Sequence, residues 1–234
     1  MNGSTGTKTA APDCLSAKTD RDTASTGQWL RRIFRSLIVV ALLAGGLAWW
    51  KTGGEDRFVP KRFGVVVPGK IYRSGQISKW LIEDVLVHHK IQAIIDLNGF
   101  DWNDEHQQAE LAVAWKHKIA VTRFAQSGDG TGDVYNYAQA IKIMHDFDRA
   151  GRPILVHCAA GSQRTGAAVA FYRLLVQKWP AKDALLEMQR YDCIPQDNAR
   201  LIDYLNGNME KLAGMLVTMD VIKRVPAALP HLEP

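Results

Sequence analysis

The chain has 234 residues, 47% of them hydrophobic and 23% charged, a balance that excludes wholesale disorder and leaves room for one domain of ordinary size plus appendages. Lys and Arg outnumber Asp and Glu by 29 to 24, a surplus that suits an anionic substrate or membrane headgroups and is too diffuse to specify nucleic acid. Three cysteines without a CxxC pair exclude a disulfide scaffold and a cysteine-rich zinc module.

Residues 1–28 are rich in Ser, Thr, Gly, Ala, Asp and Lys, show no hydrophobic period, and are expected to form a disordered tail in which Cys14 is incidental. Residues 29–51 are expected to be a transmembrane anchor. Ser36 to Trp50 carries no charge, but a bilayer needs about 20 apolar residues. Counting Ile33 and Phe34, so that residues 33–50 lie in the membrane, requires Arg35 to snorkel. Trp29, Trp49 and Trp50 suit the two interfaces. Arg31, Arg32 and Arg35, against Lys51 on the other side, place the N-terminus in the cytoplasm. In a bacterium the anchor would then cross the inner membrane and the larger part would be periplasmic. The competing reading is a cleaved signal peptide, because Gly46-Leu47-Ala48 has the small-x-small form; the long basic leader argues against it.

A linker is expected over 52–66, a globular domain over 67–214 and a C-terminal tail over 215–234, of which Val225–Pro234, with three prolines, is expected to be loose. In the domain, Lys70–Ser74 reads as a strand and Ser78 as the N-cap of a helix running to His89. The apolar run Ile91–Leu97 suits a buried strand. A helix over Asp104–Lys118, a strand over Ile119–Phe124 and a loop over Gln126–Gly132 follow. From Asp133, apolar residues recur at helical spacing as far as Phe147. Ile154–Val156 opens a strand, Arg164–Lys178 a helix, and two further helices span Ala181–Asp192 and Asn198–Leu212. Such alternation implies an α/β fold, a mainly parallel central sheet flanked by helices, with ligands beyond the carboxyl ends of the strands.

The informative segment is His157-Cys158-Ala159-Ala160-Gly161-Ser162-Gln163-Arg164-Thr165-Gly166, where a buried strand meets a tight loop and a helix start. Such a loop can curl its N–H groups into an anion nest, and the helix start adds unpaired donors. Gly161 supplies the backbone freedom and Arg164 a planar fork for two oxygens of one phosphate. Cys158 at the floor of that field is favoured as thiolate, His157 can orient the loop through a backbone bond, and the Thr165 hydroxyl can reach the sulfur. A thiolate beneath a bound phosphate is placed for in-line attack on phosphorus. A cysteine ending a buried strand is ordinarily a small hydrophobe, and a bare C-x5-R match is weak. Here His157, Gly161, Thr165 and Gly166 match as well, in a strand–loop–helix context.

HCAAGSQRTG resembles the HCxxGxxRTG signature of cysteine-dependent protein tyrosine and dual-specificity phosphatases. Tyr72-Arg73-Ser74-Gly75-Gln76, Ile95-Asp96-Leu97, Leu186–Arg190 and Asn198–Leu201 resemble further segments of their atypical dual-specificity members, so the likeness covers about Val67 to Leu212. It implies a dual-specificity phosphatase-like fold, a phosphocysteine on Cys158, and no cofactor or metal. It implies substrate binding by Arg164 and by the loop of Ala159, Ala160, Gly161, Ser162 and Gln163, with Thr165 assisting the thiolate and a later attack by water. It also implies a carboxylic acid on the loop after the preceding strand. Asp129 is the first candidate for that acid; Asp133, better suited to cap a helix, is the alternative, and Asp96 and Asp101 rank third. Gly-Asp-Gly is equally ordinary turn chemistry.

The variable positions of the signature loop are uncharged, which tilts the expectation toward phosphotyrosine or another singly phosphorylated ester, unless Arg73, Arg123 or Lys142 lends charge. Other readings are an inactive phosphate-binding module, a phosphatase of phosphoinositides or other small phosphoesters, and a thiol oxidoreductase with Cys193 as resolving thiol. His88, His89, His106, His117 and His145 are expected to be structural or solvated.

Overall fold

The computed structural model describes residues 16–50 and 54–233 together with Gly3 and Gly6, with only the backbone described over 16–27. Cys14, Lys51 and the start of the linker lie outside the described residues. The chain divides into two units, residues 1–54 and 55–234.

The first unit contains helix α1, Ser16–Trp49. It starts inside the segment expected to be disordered; between Ser16 and the apolar run there is no proline, and Ala17, Lys18, Arg21 and Ala24 are compatible with helix. Its stretch Gln28–Trp49 has 22 residues and a mean hydropathy of 1.6, enough by length and composition to cross a membrane.

In the second unit a five-stranded sheet has the order β1-β2-β5-β3-β4, with β1 Gly64–Val67, β2 Ile71–Ser74, β3 Ala93–Asp96, β4 Ala120–Arg123 and β5 Ile154–His157. Only β1 runs antiparallel; it begins in the expected linker, where Val65 pairs with Tyr72. The other four strands are parallel, in the register Ser74, His157 and Asp96 across β2, β5 and β3. The carboxyl ends of these strands therefore converge on one edge of the sheet, with β5 at the centre.

Strand alternation divides the side chains between two cores. Ile71, Ile95, Ile154 and Val156 pack beneath α4 (Val134–Arg149), α5 (Gln163–Phe171), α6 (Ala181–Arg190) and α7 (Ala199–Thr218). Tyr72, Ile94 and Leu155 face α2 (Ile82–His88) and α3 (Glu105–His117). Asp104 caps α3 and Asp133 caps α4, their carboxylates accepting from N–H groups of the first turns.

Three sequence expectations are corrected. Ser78 is not a side-chain cap: its carbonyl accepts from Leu81 and Ile82 N–H, and its hydroxyl is buried without a partner. The helix expected over Arg164–Lys178 is α5 continued by a π-helical stretch, Tyr172–Val176, where Arg173 turns in to Glu187. The segment expected to be loose, Val225–Pro234, is pinned near its end, where Leu232 is buried and exchanges hydrogen bonds with the Asn206 side chain; before it, α7 runs on to Thr218, past the expected end of the domain. Leu216 and Val221 contribute to the core, so the apolar residues of the C-terminal tail outweigh its prolines.

Candidate active site

Cys158 follows the last residue of β5 and is buried. Alternation puts His157 on the α3 face and Cys158 on the other, beneath the start of α5. The Gly161 N–H donates to the sulfur at 3.1 Å. Thr165 neighbours the same sulfur, and its buried hydroxyl is engaged in no other hydrogen bond. Burial by itself would raise the Cys158 thiol, but Thr165, the Arg164 charge and the Gly161 N–H outweigh it and hold the thiol below its ordinary range. The arrangement shifts Cys158 toward the thiolate relative to a free thiol.

The loop over the sulfur has an unusual backbone. Gly161 has φ of +78°, and a Cβ there would fall 2.4 Å from the Gly75 nitrogen, so both the dihedral and the space demand glycine. Ser162 and Gln163 turn their side chains away from the cup: the Ser162 hydroxyl donates to the Asp192 carbonyl and the Gln163 amide to Asn198. The loop therefore turns main-chain N–H groups, rather than these side chains, to the space above the sulfur. Arg164 stands half-buried at the rim; one terminal nitrogen reaches the Leu97 carbonyl at 3.4 Å and its Nε is buried without a partner.

His157 does not bond the loop backbone, as the sequence had suggested. Its Nε2 lies 3.1 Å from Glu110 and 3.9 Å from Asp96. Burial would lower the imidazole, but Glu110 and then Asp96 prevail and push it up to about 9. Asp96 is also paired with Arg123 at 2.7 Å, and Gln76 donates to Glu110 at 3.3 Å. The ligand atoms of Asp96, Glu110 and His157 lie within 4.8 Å of one another, a spacing a metal ion can use. Here two carboxylates face one guanidinium and one imidazolium, so the charges cancel with a single bound proton. The strand register made Asp96 and His157 neighbours; Glu110 left no signal in the sequence, because only the packing of α3 on the sheet brings it there.

Asp129 lies on the loop after β4, which packs on the start of α5: Gly130 lies against Gln163 and Leu201, and the Gly130 carbonyl accepts from Tyr137. The Asp129 carboxylate accepts from the Thr131 hydroxyl and N–H and lies 3.3 Å from Arg200, and Thr131 foremost holds it below the usual carboxylate range. Asp133 is occupied as a helix cap. Asp101 accepts from the Asn103 N–H in its own loop, and Asp96 is committed to Arg123. Arg73, Arg123 and Lys142 are also engaged, with the Gly161 carbonyl, Asp96 and Asp146 respectively, and Arg73 is buried.

Among the histidines, His106 accepts from the Lys79 N–H, His117 pairs with Glu83, His145 lies 3.4 Å from Asp146, His89 stacks on Phe63, and His88 meets His89 edge-on. Cys193 is buried, and desolvation pushes its thiol up to about 11. Sequence reasoning missed Arg62 and Glu110 at the site and gave Gln76 no role beyond its place in the matching segment. It named Arg73 only as a charge for substrate; an arginine inside the strand-like run Lys70–Ser74 was the one sequence signal, and its burial became visible only in the fold.

Comparison with known proteins bears on this geometry. Residues 68–202, more than half of the chain, match the family described as DSP-PTPase phosphatase fused to NAD+ kinase. A 65-residue segment is 38% identical to the dual specificity protein phosphatase TpbA of Pseudomonas aeruginosa, spanning 27% of this chain and only 30% of that protein's length. The crystal structure of P. aeruginosa TpbA shares the fold at a TM-score of 0.54 and 21% identity, over 68% of this chain and 91% of that one. The core catalytic domain of the PP-IP phosphatase SIW14 from S. cerevisiae does so at 0.54 and 22%, over 73% and 97%. By its sequence, its sheet and the loop between β5 and α5, the chain belongs to the cysteine-based dual-specificity phosphatase family.

Proposed function

We propose that this protein hydrolyses phosphate monoesters through a phosphocysteine on Cys158, with phosphorylated protein, phosphotyrosine foremost, as its substrate class. The observation that supports this most directly is the sulfur itself, buried under the Gly161 N–H at 3.1 Å with Arg164 at the rim. The ester phosphate takes the place above the sulfur, where the loop N–H groups of residues 159–163, the first turn of α5 and the Arg164 fork neutralise its equatorial oxygens. The sulfur attacks phosphorus, the ester oxygen leaves with a proton, and water then hydrolyses the phosphocysteine. Thr165, already beside the sulfur, stabilises the thiolate as leaving group in that second step.

Asp129 serves as the acid and then as the base for water. In the free protein its carboxyl is held as an anion by Thr131 and Arg200; an incoming phosphate dianion raises its proton affinity by like-charge repulsion. Among the side chains of residues 157–166, Arg164 serves the ester phosphate and His157 faces Glu110 and Asp96 on the other side of the sheet, so none is left for a second phosphate, which favours singly phosphorylated esters. The first unit anchors the protein in a membrane through residues 33–50, with the N-terminus cytoplasmic; residues 52–66 form the linker and 67–214 the catalytic domain.

A panel of phosphotyrosine, phosphoserine and phosphothreonine peptides, p-nitrophenyl phosphate and inositol phosphates tests the reading. Turnover that Cys158→Ser abolishes while phosphate binding persists supports it. Phosphate binding by the wild type with no turnover of any of these esters refutes it in favour of an inactive binding module. Asp129→Asn should slow esters with poor leaving groups at least tenfold more than p-nitrophenyl phosphate; equal slowing removes Asp129 as the acid.

A further inference from the structure

Three consecutive carbonyls of the loop above Cys158 are each held from outside the cup. The Ala159 carbonyl accepts from the Gln76 N–H at 3.1 Å, the Ala160 carbonyl from the Arg62 guanidinium at 2.9 Å, and the Gly161 carbonyl from Arg73 at 2.6 Å. In a trans peptide the C=O and the following N–H point in opposite directions. Tying the carbonyls of 159, 160 and 161 outward therefore turns the N–H groups of 160, 161 and 162 inward. The Gly161 N–H, which shares its peptide plane with the carbonyl held by Arg62, is the one that meets the sulfur.

The two arginines are themselves braced. Arg62 donates its Nε to the Asp192 carboxylate at 2.8 Å, and Asp192 also receives the Ser162 hydroxyl on its carbonyl. Arg73 is wholly buried, its guanidinium stacked 3.7 Å over the Tyr191 ring, with Nε and one terminal nitrogen making no hydrogen bond to the protein. A buried guanidinium with unpaired donors is costly, and a structure retains one where it gains something specific. We propose that Arg62 and Arg73 are positioning residues that clamp the peptide planes of the loop in the anion-binding orientation before substrate arrives. They act through the loop and touch no substrate. The proposal rests on the phosphatase reading only for its effect on turnover; the clamp itself concerns oxyanion binding.

The test uses the full chain in detergent, orthovanadate as the oxyanion probe, and the pH midpoint of Cys158 alkylation by iodoacetamide. Arg62, whose side chain is 29% exposed, is the tractable site. Arg62→Met should bind vanadate about tenfold more weakly, less than the 10²–10³ seen when an oxyanion donor is removed outright, because the N–H is loosened and not lost. Its alkylation midpoint should rise, and kcat on p-nitrophenyl phosphate should fall more than KM changes. Arg62→Lys, which keeps one donor for the Ala160 carbonyl, should recover most of the loss. Folded Arg62→Met with wild-type vanadate affinity and alkylation midpoint overturns the proposal, as does Arg62→Lys no better than Met. Arg73→Met should be at least as severe where it folds; where it does not, the Arg62 pair decides. Wild-type protein that binds vanadate but hydrolyses no ester sinks the phosphatase reading and leaves the clamp standing, whereas an active wild type with an indifferent Arg62→Met does the reverse.

Discussion

Cys158 and His157 are adjacent in the chain yet occupy opposite faces of the sheet, and their protonation differs accordingly. The thiol is held low by Thr165, Arg164 and Gly161 against the opposing pull of burial, so the midpoint of Cys158 alkylation should lie below the ordinary thiol value of about 8.5; a midpoint at or above it removes the thiolate from the resting protein. His157 has the opposite linkage. Its folded pKa of about 9 lies above the ordinary value, so its contribution to stability is complete below about pH 6.5 and is lost as pH rises through about 9. In a Cys158→Ser background, which removes the thiol's own titration, the melting temperature should fall between pH 7 and 9.5, and the additional substitution Glu110→Gln should flatten that fall. Gly161→Ala should abolish vanadate binding and turnover together, because its φ of +78° and the 2.4 Å approach to Gly75 leave a methyl group nowhere to go.

At the scale of elements, the site depends on how α6 and the segment after it are fastened to α5. The π-helical stretch turns Arg173 toward Glu187 in a doubly hydrogen-bonded pair at 2.7 Å, both side chains being nearly buried, while the guanidinium stacks 3.8 Å from Trp179. Removing one partner of a buried pair leaves an uncompensated charge, at a cost of about 3 kcal/mol. Glu187→Ala should accordingly lower the urea midpoint sharply; a change within error would show that water compensates Arg173. The elements themselves were largely legible from spacing. The strand around Ile94 and Ile95, the helix capped by Asp133 and the strand–loop–helix around Cys158 all lie close to where periodicity and capping chemistry put them. The strand Gly64–Val67 escaped notice because an edge strand is recognised by its partner rather than by its own four residues.

For the molecule as a whole, the two units make separate predictions. Full-length protein expressed in bacteria should sediment with membranes and be released by detergent but not by high salt; release by salt would reduce α1 to a peripheral helix. What the sequence alone determined was a pattern concentrated in ten consecutive residues: a cysteine, an arginine and a glycine at the spacing of the family's signature, set where a strand meets a loop and a helix. The membrane-length apolar run was equally local and equally legible. The tertiary structure decided what long-range packing alone can bring together. Glu110 reaches His157 from a helix 47 positions earlier, a separation with no periodic trace. Arg62 and Arg73 reach the loop carbonyls from across nearly a hundred residues: Arg73 because parallel pairing places β2 beside β5, and Arg62 because antiparallel pairing sets Gly64, at the start of β1, opposite Arg73. Hydrogen bonds to backbone carbonyls leave no constraint on the acceptor's side chain, so Ala159 and Ala160 gave no hint of the donors that hold them.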